Sequence, residues 1–166
     1  ASRADADGYT LKRADSGALL HWRQPRVAIA LHESMRDHFP EGRAEEALRE
    51  AIATWSRAGA GPELVYLGVT EDQPGHRRGA STNGVYLLRP WPYEKNLLAV
   101  TVTSFDTRTG EILDADILVN GEEEISATGD PSRYDLATIL AHEIGHLLGL
   151  GEAERNPSAT MYPRIA

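Results

Sequence analysis

Apolar positions along the chain change their period several times, and each change marks an element. Residues 26–34, RVAIALHES, hold an unbroken apolar run that predicts a buried strand. Over 41–59 the period lengthens. Ala44, Ala47, Leu48, Ala51, Ile52 and Trp55 recur at three and four residues and share one face, with charges opposite, which predicts a first helix. Gly59 and Gly61, followed by Pro62, end it. ELVYLGV (63–69) predicts a second strand, 70–84 a loop dense in turn formers, VYLLR (85–89) a short strand, and PWPYEKN a rigid connection. Residues 97–106 and 111–120 are β-rich runs joined by TRTG, the pattern of a hairpin. After a loop over 121–131, the helical period returns across about 132–150, with Pro131 near the first turn and Ser132 and Asp135 at capping-box spacing. This order of strand, helix, three or four strands and helix implies an α+β or α/β domain built on one mixed sheet. Residues 1–8 read as a polar, mobile lead-in to a single domain over 1–166.

Composition narrows the function. At 166 residues with 41% hydrophobic content, the chain has enough apolar mass for one well-filled core. It contains no cysteine, so disulfides and thiolate metal sites are excluded. A net charge of -8 argues against binding nucleic acid or an anionic membrane through bulk charge. No apolar run reaches the roughly 18 residues of a membrane span. The first ten residues lack the apolar core of a signal peptide.

The second helix carries the chemistry. Its sequence includes HEIGH, which places His142 and His146 four apart, on one face and one turn from each other. Two imidazoles so placed suit a shared zinc ion at roughly 2.0–2.1 Å. Glu143 lies beside that face, within reach of a water on the metal, where it can act as general base and then pass the proton to a leaving amine. The motif alone is an even wager against chance. Its surroundings shift the balance, because LATILA precedes it and Ile144, Leu147, Leu148 and Leu150 accompany it. Two histidines and a glutamate in so apolar a helix need a reason to be buried, and a metal supplies one. Gly149 can adopt the left-handed conformation that turns the chain and brings residue 152 back towards the imidazoles.

HExxHxxGxx followed by ATMYP (159–163) resembles the metzincin metallopeptidases, and within them the matrixin-like branch. TGEILDADILVNG and YDLATILAHEIGHLLGLG carry the same likeness, which is strong over 97–163 and weaker over the rest. The resemblance implies an α+β, zincin-like fold: a twisted, mixed five-stranded sheet with two main helices, the second bearing HExxH. It implies a secreted or periplasmic, monomeric zinc endopeptidase with His142 and His146 as ligands and Glu143 as base. Gly149 would permit the turn, Met161 would form the floor under the metal, and Tyr162 and Pro163 would begin a pocket wall. A peptide substrate would lie extended along an edge strand at about Leu98, Ala99, Val100 and Thr101, paired through its main chain.

The chain departs from that pattern at the third ligand, where the family carries histidine or aspartate and this sequence has Glu152. Two histidines and one glutamate form a legitimate zinc set. Beyond His146 the acidic residues are Glu152 and Glu154, with no further histidine, and position favours Glu152. Its charge should make the zinc centre less acidic and catalysis weaker. The alternative is a catalytically weak or inactive zincin-like domain that binds peptides along its edge strand. A structural zinc is not expected, since the loop over 70–84 holds only His76. Asp114 and Asp116, alternating along a strand, read as that strand's polar face in preference to a Ca2+ site. His21, His32 and His38 lack ligand-spaced partners and read as surface or core side chains.

Overall fold

The computed structural model describes residues 10–59, 61–76 and 82–163, so the lead-in over 1–8 lies outside the described residues. Strand β1 (Arg26–His32) runs into a short helix α1 (Glu33–His38), then α2 (Arg43–Ala58), β2 (Glu63–Thr70), β3 (Gly84–Leu88), β4 (Ala99–Phe105) and β5 (Ile112–Asn120). Two-residue strands β6 (Ile125–Ser126) and β7 (Tyr134–Asp135) lead to α3 (Leu136–Leu147). The main sheet has five strands in the order β2-β1-β3-β5-β4. Four of them are parallel, and β4 runs antiparallel to β5 at the edge. This is the α+β class expected, with a mixed five-stranded sheet and two long helices, the second bearing HEIGH.

Both long helices cover one face of that sheet. The apolar stripe predicted for α2 is buried from Ala44 to Ile52 and joins Leu136, Leu140, Ile144 and Leu147 of α3 over Ile29, Leu31, Ile117 and Val119. The indole of Trp55 reaches across to donate to Ala141 O of α3 at 2.7 Å. The other face of the sheet carries a smaller cluster of Tyr86, Trp91 and Leu118, so the segment after β3 serves as packing as well as connection. Among the described residues, no helix is long and apolar enough to cross a membrane.

Three local readings need correction. The apolar run after β1 does not continue as strand. His32 Nδ1 accepts the Ser34 amide at 3.1 Å and starts α1, with Met35 fully buried beneath it. Helix α3 begins at Leu136, not near 132, because its N-cap is Asp135, whose carboxylate takes the Thr138 amide at 2.9 Å and the Thr138 hydroxyl at 2.7 Å. Ser132 instead closes a turn on Asp130. Asp114 and Asp116 are not a solvated polar face, since they are 1% and 3% exposed. Asp116 accepts the Gly75 amide at 2.6 Å and the Gly84 amide at 3.0 Å.

Candidate metal centre

Helix α3 is positioned by its burial, and it sets the histidines by its pitch. Leu140, Ile144 and Leu147 lie in the core, so His142 and His146 face the opposite way, each half-buried, with ring centroids 4.8 Å apart. Each ring is fixed by its inner nitrogen. His142 Nδ1 donates to Thr160 O at 2.9 Å, and His146 Nδ1 donates to Leu150 O at 2.8 Å. A carbonyl oxygen only accepts, so these bonds place the proton on Nδ1 and turn the Nε2 lone pairs outward. Burial pushes the His146 imidazole below its ordinary pKa, and the charge of Lys12 adds to that, which keeps the ring neutral as a ligand requires.

The third member arrives from the turn. Gly149 has φ of 93°, and a Cβ there would stand 2.6 Å from Leu20 O, so the left-handed turn expected of it also admits a close neighbour. The turn brings Glu152 back to the helix, where Oε1 lies 3.2 Å from His146 Nε2 and Oε2 lies 3.4 Å from His142 Nε2. The donor atoms of His142, His146 and Glu152 all fall within 4.8 Å of one another. Two imidazole lone pairs facing a carboxylate would repel unless a cation stood between them. Glu152 Oε2 is buried with no hydrogen-bond partner. An orphaned carboxylate oxygen opposite two deprotonated ring nitrogens suits a divalent zinc ion.

Glu143 projects from the same helix into the same cleft and is 7% exposed. Its Oε2 accepts from Thr101 Oγ1 at 2.6 Å, so the edge strand holds the carboxylate in place. The cleft, about 470 Å³, is lined by Leu98, Ala99, Val100 and Thr101 on one side and by the histidines, Glu143, Glu152 and Pro163 on the others. Tyr162 is half-buried nearby but does not line it. Met161 is fully buried beside α3, packed with Ala153, Ala159 and Trp55. The edge strand is held at its entry by Asn120, whose amide donates to Leu98 O at 2.8 Å and whose side chain donates to Leu97 O at 3.0 Å.

Sequence reasoning missed three contributors. The Thr101 side chain bonds the Glu143 carboxylate, a role beyond the main-chain pairing expected of residue 101. Gly145 stands where a Cβ would overlap Met161 Sδ, and a glycine inside so regular a helix was the signal for it. Lys12 lines the cleft although it lies 130 residues before His142, a placement that no local pattern encodes.

Comparison with known proteins agrees with the resemblance read from the helix and its sequel. Residues 91–166 match the family model described as matrixin. Karilysin of Tannerella forsythia is 26% identical over 149 residues, which is 86% of this chain and 28% of karilysin. The crystal structure of metalloproteinase-II from Bacteroides fragilis aligns at a TM-score of 0.48 and 14% identity, over 88% of this chain and 48% of that one. The chain therefore spans under a third of its curated relative and about half of that solved chain.

Proposed function

From a chain that folds as a matrixin-like metzincin domain, we propose a zinc-dependent endopeptidase in which His142, His146 and Glu152 hold the metal and Glu143 is the general base. The observation that carries this reading is the convergence of two Nε2 lone pairs and an orphaned Glu152 oxygen beside the Glu143 carboxylate. Zinc held there would polarise the scissile carbonyl and make a water acidic enough to attack near neutral pH. Glu143 takes that water's proton and returns it to the departing amine, so one carboxylate serves as base and then as acid. Thr101 fixes one oxygen of the carboxylate and leaves the other to the proton.

The substrate is a protein or peptide in extended form. Strand β4 is the last in the sheet, so among the described residues its outer backbone groups have no strand partner and can pair with a peptide laid over Leu98–Thr101. Pairing of that kind reads backbone rather than side chains. Side-chain selection falls to the cleft, where Pro163 supports the expected wall. Action outside the cytoplasm accompanies this reading through the family likeness.

The test is metal content by mass spectrometry together with cleavage of casein and of a peptide library. The wild type is expected to hold one zinc per chain, Glu152→Ala to lose it and Glu152→His to keep it. A wild type that takes up no zinc when zinc is supplied would leave the non-catalytic peptide-binding reading in its place.

A further inference from the structure

Lys12 stands in the cleft with His142, Glu143, His146 and Glu152, the titratable groups that face it there. Its backbone, not its side chain, delivers it. Lys12 N donates to Gly149 O at 2.9 Å, Gly151 N donates to Thr10 O at 2.7 Å, and Leu11 bridges Leu150. Thr10 Oγ1 adds a bond to Glu152 O at 3.1 Å. The other side of the segment is held by Leu20 N, which donates to Lys12 O at 2.9 Å. The same turn that returns Glu152 to the histidines is therefore stapled to the strand-like segment that carries Lys12. Burial pulls the ammonium below its ordinary range, while the carboxylates of Glu143 and Glu152 oppose that fall. Its charge in turn reaches His146.

The charge count gives this placement a meaning. A zinc ion with three imidazoles and one glutamate base leaves one net positive charge in the site. With Glu152 as the third ligand, two carboxylates cancel the dication and leave none. One lysine restores the missing charge. We infer that Lys12 is the charge partner of Glu152, offsetting the extra carboxylate so that a zinc ion held by His142, His146 and Glu152 sits in the field of a three-imidazole site. This rests on Glu152 being a ligand, as proposed above. Lys12 touches no reacting atom in this role and acts through the field it sets up.

A cation beside a cation binding site weakens binding and keeps the bound ion electron-poor. Lys12→Met keeps the aliphatic stem and removes the charge. It is expected to bind zinc more tightly, on the order of tenfold at an effective dielectric suited to partly buried groups, and to lose a similar factor in kcat/KM. Lys12→Arg should restore both. Glu152→His/Lys12→Met carries the same net site charge as the wild type and should match its kcat/KM within about twofold, although Lys12→Met alone does not, so the two positions compensate each other. Zinc affinity is read by competition with a chromogenic chelator, and the rates with a fluorogenic peptide. Loss of zinc together with a lower Tm in Lys12→Met would make the residue merely structural. Unchanged zinc affinity with a higher KM confined to acidic peptides would make it a substrate contact. Either result overturns the charge-partner role while leaving the peptidase reading intact, whereas a wild type without zinc overturns both.

Discussion

Thr101 Oγ1 lies 2.6 Å from Glu143 Oε2 and 3.1 Å from Glu143 O, so one hydroxyl on the edge strand touches both ends of the residue read as the base. The bond couples the strand that would align a peptide to the carboxylate that would move its protons. A hydrogen bond to a charged group in a half-buried setting contributes roughly 1.5–3 kcal/mol. Thr101→Val is nearly isosteric and leaves the Glu143 carboxylate free to rotate. It is expected to lower kcat/KM by about tenfold or more with zinc content unchanged, while Thr101→Ser retains most activity. Steady-state rates on a fluorogenic peptide, alongside metal analysis, check this.

Glu143→Gln keeps the shape of the side chain and removes its capacity to accept a proton. General-base assistance is worth about 10²–10⁴ in rate, and that is the expected loss in kcat. Zinc content should not change, because the proposed metal set of His142, His146 and Glu152 does not include Glu143. Cleavage assays and mass spectrometry on the same preparation separate the two effects. A variant as active as the wild type would remove Glu143 from the reaction.

Much of this site is legible in the sequence because its determinants are local. Helical pitch alone places His142, Glu143 and His146, and a glycine with φ of 93° at residue 149 explains how Glu152 returns. The stripe of α2 and the hairpin over 99–120 follow from period and turn residues. What escaped was decided by tertiary contact. Ser132 and Asp135 have the spacing of a capping box, yet β7 pairs with β6 through residue 135 and hands the cap to Asp135. Asp114 and Asp116 alternate as a solvated face would, yet both are buried, and Asp116 takes the amides of Gly75 and Gly84 from outside its own strand. Lys12 reaches the cleft through backbone bonds to residues 149 and 151, which no periodicity announces.

Metal removal should register as lost stability. Any ligand that binds only the folded state at a hundred times its Kd stabilises it by about 2.7 kcal/mol. At roughly 2–4 °C per kcal/mol for a chain of this size, chelation is expected to lower Tm by about 5–10 °C. Differential scanning fluorimetry with and without chelator, followed by zinc restoration, measures it. The shift should vanish in Glu152→Ala.

Asp114 and Asp116 predict a pH dependence of stability. Asp116 takes two backbone amides that favour its charge, so the shared proton resides on Asp114. Burial, then the neighbouring Asp116, push the Asp114 carboxyl up to about 7. The folded state therefore binds more protons than the unfolded state between about pH 4 and pH 7, and stability falls as pH rises through that window. Asp114→Asn removes the titration without removing the shape. It is expected to flatten Tm across pH 5–8 and to raise it by a few degrees at pH 8. A wild-type Tm that climbs from pH 5 to pH 8 would contradict the protonated Asp114.

Gly145 offers the sharpest structural test. It lies between the two histidines on α3, in a helix whose other positions favour larger residues, and glycine there costs about 1 kcal/mol relative to alanine by helix propensity alone. By that rule Gly145→Ala would stabilise the protein. The packing reverses the sign. A methyl at Gly145 would overlap Met161 Sδ and stand 2.8 Å from Trp55 Cζ2. Met161 is fully buried, and the Trp55 indole is tied to Ala141 O, so neither neighbour has room to withdraw freely. Overpacking of this kind typically costs about 1–3 kcal/mol. Displacing Met161 also disturbs Thr160, whose carbonyl fixes the His142 ring. Gly145→Ala is therefore expected to lower Tm by several degrees and to weaken zinc binding. Met161→Ala in the same chain opens space for the methyl and should recover part of the stability. Thermal denaturation of the two single variants and the double variant gives the coupling directly, and additive losses would show that Gly145 and Met161 do not meet as described.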